Sequence, residues 1–163
     1  MCSLLFQLDA NAVNARQRDP NLNELDRLAS VGMIELEYSE VAYNEAVRGD
    51  GIRKEKAEQL TWSGLSNQPD FEETWRRQIA EVIFPNGVIT ASQQNDVEIL
   101  LTAKLAGAIL VTTDGNSKSQ PRGILGSKSL LEALGITVVT PAEAVALVAA
   151  AVGAMPRSDI NQR

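Results

Sequence analysis

Ala108-Ile109-Leu110-Val111-Thr112-Thr113-Asp114 is the stretch on which the fold reading turns. Its first five residues carry no charge and include Ile109, Val111 and Thr112, so a run this short and β-branched suits a strand buried inside a parallel sheet. The run then meets a carboxylate almost at once. The same pattern opens the chain, where Leu4-Leu5-Phe6-Gln7-Leu8 ends abruptly at Asp9. Two apolar strands that each deliver an aspartate from the carboxyl end suggest a shared site, because ligands of open parallel sheets collect outside those ends.

Working outward, the stretch from about Asn95 to Ala106 puts Ile99, Leu100, Ala103 and Ala106 on one helical face, with Asp96 in the first turn and a stop at Gly107. Gly115 to Gly126 reads as a loop, Ser127 to Leu134 as a helix stopped by Gly135, and Ile136 to Val139 as a short strand. Thr140-Pro141-Ala142-Glu143 is a capping box with proline at the first helical position, so a closing helix starts there. Towards the other end, Asp19-Pro20 caps a helix in which Leu22, Leu25, Leu28 and Ala29 recur before Gly32. Ile34, Leu36 and Tyr38 alternate with Glu35 and Glu37, as in a strand near a sheet edge with one solvated face. Ser39 then caps a helix carrying Glu45.

From Gly51 to about Phe84 the sequence is polar and helix-friendly, with a break at Ser63 to Pro69, and Phe71, Trp75, Ile79 and Val82 share a face. The stretch reads as a helical pair laid over the sheet. Strands alternating with helices imply an α/β fold: three layers, α/β/α, around a central parallel sheet of four to five strands joined by right-handed crossovers. The 163 residues suit one domain, over 1–153, followed by a frayed polar tail, 154–163.

Composition narrows the chemistry. There is no histidine, which excludes His-based triads, His-paired ribonuclease chemistry and zinc sites of the HExxH kind. Catalysis must rest on carboxylates, lysines or hydroxyls. The single cysteine, Cys2, cannot close an internal disulfide and fits a reducing cytosol. No basic opening followed by an apolar run suggests export, and the Ala/Val-rich stretch from Ala142 to Met155 is too short to cross a bilayer. With 21 acidic against 15 basic residues the formal charge is -6, which argues against coating nucleic acid by bulk charge but leaves room for a local basic groove.

Taken singly, Asp9 and Asp114 read as readily as helix caps or turn formers, and Glu45 and Asp96 as acids favoured near helix starts. Together they suggest more. Hard divalent cations prefer oxygen ligands, and ions held by several carboxylates can clamp the attacking and leaving oxygens of a phosphodiester displacement. Without a cation, clustered carboxylates repel and some of their pKa values rise. Arg48, Arg53, Lys54, Lys56, Lys118, Arg122 and Lys128 flank the acidic stretches and are candidates to hold a phosphate backbone, or else a solvated face. Trp62 and Trp75 could stack bases, although the spacing of Trp75 with Phe71, Ile79 and Val82 favours packing. Gly126-Ser127-Lys128-Ser129 lacks the spacing of a phosphate-binding GxxxxGK[ST] loop.

In order, Leu8-Asp9-Ala10-Asn11, Ser39 to Glu45-Ala46, Asn95-Asp96 through Ala103, Leu110-Val111-Thr112-Thr113-Asp114 and Gly135-Ile136-Thr137-Val138-Val139-Thr140-Pro141 resemble the PIN domain, over nearly the whole chain from Leu4 to about Val148. The resemblance implies a ribonuclease dependent on magnesium or manganese, with Asp9, Glu45, Asp96 and Asp114 as catalytic metal ligands. It implies that Asn11 supports the first acid and that Thr112 orients the loop at the strand end. Asn116 stands where many relatives have a further acid, which leaves the number of metal ions open. As partners it implies an RNA substrate, and it leaves room for an antitoxin protein and a homodimer. Two other readings compete. A catalytically silent PIN-like module would bind RNA or protein and need no intact quartet. A phosphatase of the haloacid-dehalogenase type wants a second aspartate two positions after the first, where this chain has Asn11.

Overall fold

In the computed structural model, residues 4–47, 61–63, 69–115 and 123–154 are described. The frame is a parallel sheet. Its strands are β1 (Leu4–Leu8), β2 (Ile34–Ser39), β3 (Thr61–Ser63), β4 (Ile109–Val111) and β5 (Val138–Val139), in the spatial order β3-β2-β1-β4-β5. β1 pairs with β2 in the register Leu4 to Ile34 through Leu8 to Tyr38, and on its other edge with β4 from Phe6 opposite Ile109 to Leu8 opposite Val111. Phe6, Gln7 and Leu8 point to alternate faces and all three are fully buried, so both faces of the central strand are covered. That is the three-layer α/β arrangement expected.

The helices are α1 (Ala10–Ala15), α2 (Pro20–Ser30), α3 (Glu40–Val47), α4 (Pro69–Ile83), α5 (Ala91–Ala106), α6 (Gly123–Gly126), α7 (Lys128–Ala133) and α8 (Pro141–Gly153). α2 packs on β2 and α8, and α5 on α3 and α4. Leu22, Leu25, Ile79, Ile99, Leu100 and Leu110 fill the core with Phe6 and Leu8. The expected caps form: Asp19 accepts from the Asn21 and Leu22 amides, Ser39 Oγ from the Ala42 amide, and Thr140 with Glu143 closes a capping box. Among the described residues no helix is long and apolar enough to cross a membrane.

The structure corrects the sequence reading in several places. α1 follows Asp9 directly and is too short to show a periodicity. Thr61–Ser63 is a strand paired parallel to β2, inside a stretch read as helical; it forms the sheet edge, and β2 lies next to that edge as expected. Only α4 of the supposed helical pair lies among the described residues; 48–60 and the tail 155–163 lie outside them. Phe71, in the first turn of α4, stands 50% exposed, edge-on to Trp75. Helix α5 begins at Ala91, not near Asn95, because Thr90 and Gln93 form a capping box. Asp96 therefore sits in the second turn, where it caps nothing.

Candidate metal centre

The order β3-β2-β1-β4-β5 reverses direction between β1 and β4, and at that point both neighbouring strands release their chains on the same side. This is the crevice where a doubly wound sheet receives a ligand. Asp9 follows β1 and Asp114 follows β4, so strand order alone brings two acids 105 positions apart in sequence to one crevice.

Asp9 occupies the N-cap position of α1 with extended backbone, yet its side chain makes no capping hydrogen bond. Asp19, in the equivalent place before α2, caps as such residues usually do. The Asp9 carboxylate turns instead to Thr112, whose hydroxyl donates to Oδ2 at 2.7 Å. The same hydroxyl oxygen accepts from the Asp114 amide at 2.9 Å. Thr112 is fully buried, and the Asp9 amide donates to the Val111 carbonyl at 3.0 Å. One hydroxyl thus bridges the two strand ends, orienting the Asp9 carboxylate and holding the backbone at Asp114.

Asp114 is held from its other side by the start of α6. Its Oδ2 accepts from the Ile124 amide at 3.2 Å, and its carbonyl from the Leu125 amide at 3.0 Å. The return of the chain at this point needs glycine: a Cβ on Gly115 would lie 2.6 Å from the Leu125 Cβ, and Gly123 has φ +49° with its Cβ position 2.9 Å from the Gly115 Cα. Glu45, on α3, accepts from the Asn95 side-chain amide on α5 at 2.5 Å. Asp96 is next along α5.

Electrostatics ties the four acids together. The pKa of Asp9 is raised from 3.8 to about 6, first by burial and then by the charges of Asp114 and Glu45, while the hydrogen bonds from Thr112 and the Ala10 amide pull it down. That of Asp96 is raised from 3.8 to about 7, again by burial first, then by the charges of Asp9, Asp114 and Glu45. Charge is concentrated where solvent is already scarce, a condition that a divalent cation reverses. Among the described residues no three acids are close enough to form a ready cation cage. The acids converge without closing. The donor set, all carboxylate oxygen with neither histidine nor thiolate, suits a hard cation such as Mg2+ or Mn2+.

Other candidates are placed as follows. Asn11 is exposed on α1, and no hydrogen bond joins it to Asp9. Asn116 lies outside the described residues, as do Arg48, Arg53, Lys54, Lys56, Lys118 and Arg122. Lys128 is engaged by Glu143 at 2.8 Å, on the first turn of α8. Trp75 packs under the Lys104 ammonium, 3.8 Å from the ring centroid, which favours its structural reading over base stacking. Of Trp62 only the backbone is described, in β3. Two polar residues near the acids have a role that the sequence alone does not assign, Asn95 and Gln7. Gln7 interrupts an otherwise apolar strand, and Asn95 stands beside Asp96 in the stretch that resembles the PIN domain.

The fold has solved counterparts. VapBC2 from Rickettsia felis, crystallised on a DNA fragment from its promoter, includes a chain 17% identical to this one, matched over 84% of this chain and 98% of that one with a TM-score of 0.53. FitAB bound to the IR36 DNA fragment includes another, 16% identical over 84% and 95%, with a TM-score of 0.50. The chain has the PIN-domain fold. A PilT N-terminus domain protein from the archaeon Sulfolobus solfataricus is also similar, 13% identical over 88% and 92%, with a TM-score of 0.47. No protein-family model and no curated protein matches the sequence. The acids described above stand just after β1, on α3, on α5 and in the segment after β4.

Proposed function

We propose that this PIN-fold chain is a metal-dependent endoribonuclease that hydrolyses phosphodiester bonds in single-stranded RNA, with Asp9, Glu45, Asp96 and Asp114 holding Mg2+ or Mn2+. The observation that carries the reading is the Asp9 carboxylate: buried at the point where strand order reverses, held by the Thr112 hydroxyl without a capping bond to α1, and subject to the charges of Asp114 and Glu45. A buried acid under such repulsion is unfavourable unless something positive shares the site. When bound, the ion supplies Lewis acidity towards the phosphate and neutralises charge that builds up as the bond breaks.

The chain's own residues do the positioning. Thr112 fixes Asp9 through Oδ2 and Asp114 through its amide. Asn95 fixes Glu45 through Oε1. The Ile124 amide holds one oxygen of Asp114. With no histidine in the chain, a proton at the site can be held by Asp96 or Asp9, whose pKa values lie near neutrality before any cation binds. An antitoxin-type protein partner belongs to the same reading, because the similar structures are VapBC2 and FitAB complexes. A cytoplasmic location goes with it too. The rival reading, a silent PIN-like binding module, draws on the open spacing of the acids.

Incubation of the purified protein with mixed single-stranded RNA in manganese, magnesium or chelator separates the two readings. Cleavage that needs the metal and is lost in Asp9→Asn and Asp114→Asn is the expected result. Equal cleavage by the wild type and both variants would trace the activity to a contaminant, and no cleavage under any condition would favour the silent module.

A further inference from the structure

Gln7 lies in the middle of the apolar strand β1 and is fully buried. Side chains alternate along a strand, so Gln7 shares a face with Asp9, and Phe6 and Leu8 point the other way. Its Nε2 donates to the Ile99 carbonyl on α5 at 2.9 Å, and its Oε1 has no partner among the described residues. A buried amide with an unused acceptor is less favourable than an aliphatic side chain of similar size. Packing alone does not explain it.

What the bond does is join the two elements that carry Asp9 and Asp96. Asp9 is two residues beyond Gln7, just past the end of β1 in extended backbone, roughly 6.6 Å along the strand direction. Asp96 is three residues before Ile99 on α5, about 4.5 Å along the helix axis. The Gln7–Ile99 bond is therefore a rung just below the positions of Asp9 and Asp96, tying the end of β1 to the helix that carries Asp96. Apolar contacts between a helix and a sheet tolerate small axial shifts, but a directional hydrogen bond between two fully buried groups does not.

We propose that Gln7 is a positioning residue: through the Ile99 carbonyl it pins α5 against β1 and so sets the separation of Asp9 and Asp96 for cation binding. The inference rests on the metal reading of the acidic site. Mn2+ titration of the full chain by calorimetry, paired with melting curves in chelator, tests it in wild type, Gln7→Leu, Gln7→Met and Asp9→Asn. The wild type binds saturably and Asp9→Asn does not. Both Gln7 variants bind Mn2+ about tenfold more weakly, as loss of a group that orients ligands typically does, while melting at or above the wild-type temperature in chelator.

Unchanged Mn2+ affinity in a folded Gln7 variant overturns the proposal, and so does weaker affinity accompanied by a lowered melting temperature in both, which would mark general loosening. Gln7→Met carries the test if Gln7→Leu fails to fold. A wild type without saturable Mn2+ binding instead sinks the metal reading itself, and this inference with it.

Discussion

Replacing Asp96 with asparagine should stabilise the metal-free protein. In the folded chain the Asp96 carboxyl titrates near 7 instead of 3.8, because burial and the charges of Asp9, Asp114 and Glu45 oppose its ionisation. A raised folded-state value for an acid means that the stability present below about pH 4 is progressively lost as pH rises through about 7, since the unfolded chain ionises first. At about 1.4 kcal/mol per unit the shift has a ceiling of roughly 4 kcal/mol. Asp96 is only partly buried, so solvent screening reduces this to about 1–2 kcal/mol. For a chain of this size that corresponds to a melting temperature higher by roughly 2–8 °C. The assay is thermal denaturation in chelator at pH 8, where the gain should be full, and at pH 4.5, where it should shrink. Added Mn2+ should raise the wild type more than the variant. A melting temperature lowered by Asp96→Asn in chelator at pH 8 would mean that the carboxylate makes a stabilising contact, and the repulsion argument would be wrong.

Thr112→Val removes the hydroxyl that joins Asp9 to Asp114 and leaves the buried carboxylate short of a donor, so chemical denaturation should show a loss of about 1–3 kcal/mol, together with weaker Mn2+ binding. Unchanged stability and binding would dismiss the bridge. Thr90→Ala breaks the capping box of α5 and should cost about 1 kcal/mol with RNA cleavage per folded molecule unaffected, because Thr90 precedes Asp96 by more than a helical turn. A parallel loss of cleavage would mean that the start of α5 contributes to the site.

Much of the frame is legible because its strands are short apolar runs that end on polar residues. Leu4–Leu8 and Ile109–Val111 are visible for that reason, and the helices at Asp19 and Thr140 because a capping residue is followed at once by proline and an apolar face. The start of α5 carries an equally good signature in Thr90 and Gln93, but polar residues follow it and delay the apolar face, so the helix reads as beginning four residues late. β3 is three residues long and owes its existence to pairing with β2, which no local pattern records. The acidic residues are legible as candidates but not as a group. Asp9 and Asp19 look alike in sequence, each preceding a helix; what separates them is Thr112, 103 positions from Asp9, which draws one carboxylate away from capping. Gln7 and Asn95 gain meaning only once α5 is laid against β1 and α3.

The most direct measurement is an anomalous difference map from crystals of the protein grown with Mn2+. A strong peak coordinated by oxygens of Asp9, Asp96 and Asp114, with Glu45 beside it, is expected, and it should disappear in Asp9→Asn crystals. Well-diffracting crystals at saturating Mn2+ with no peak in that crevice, or with the four carboxylates turned to separate surfaces, would contradict it.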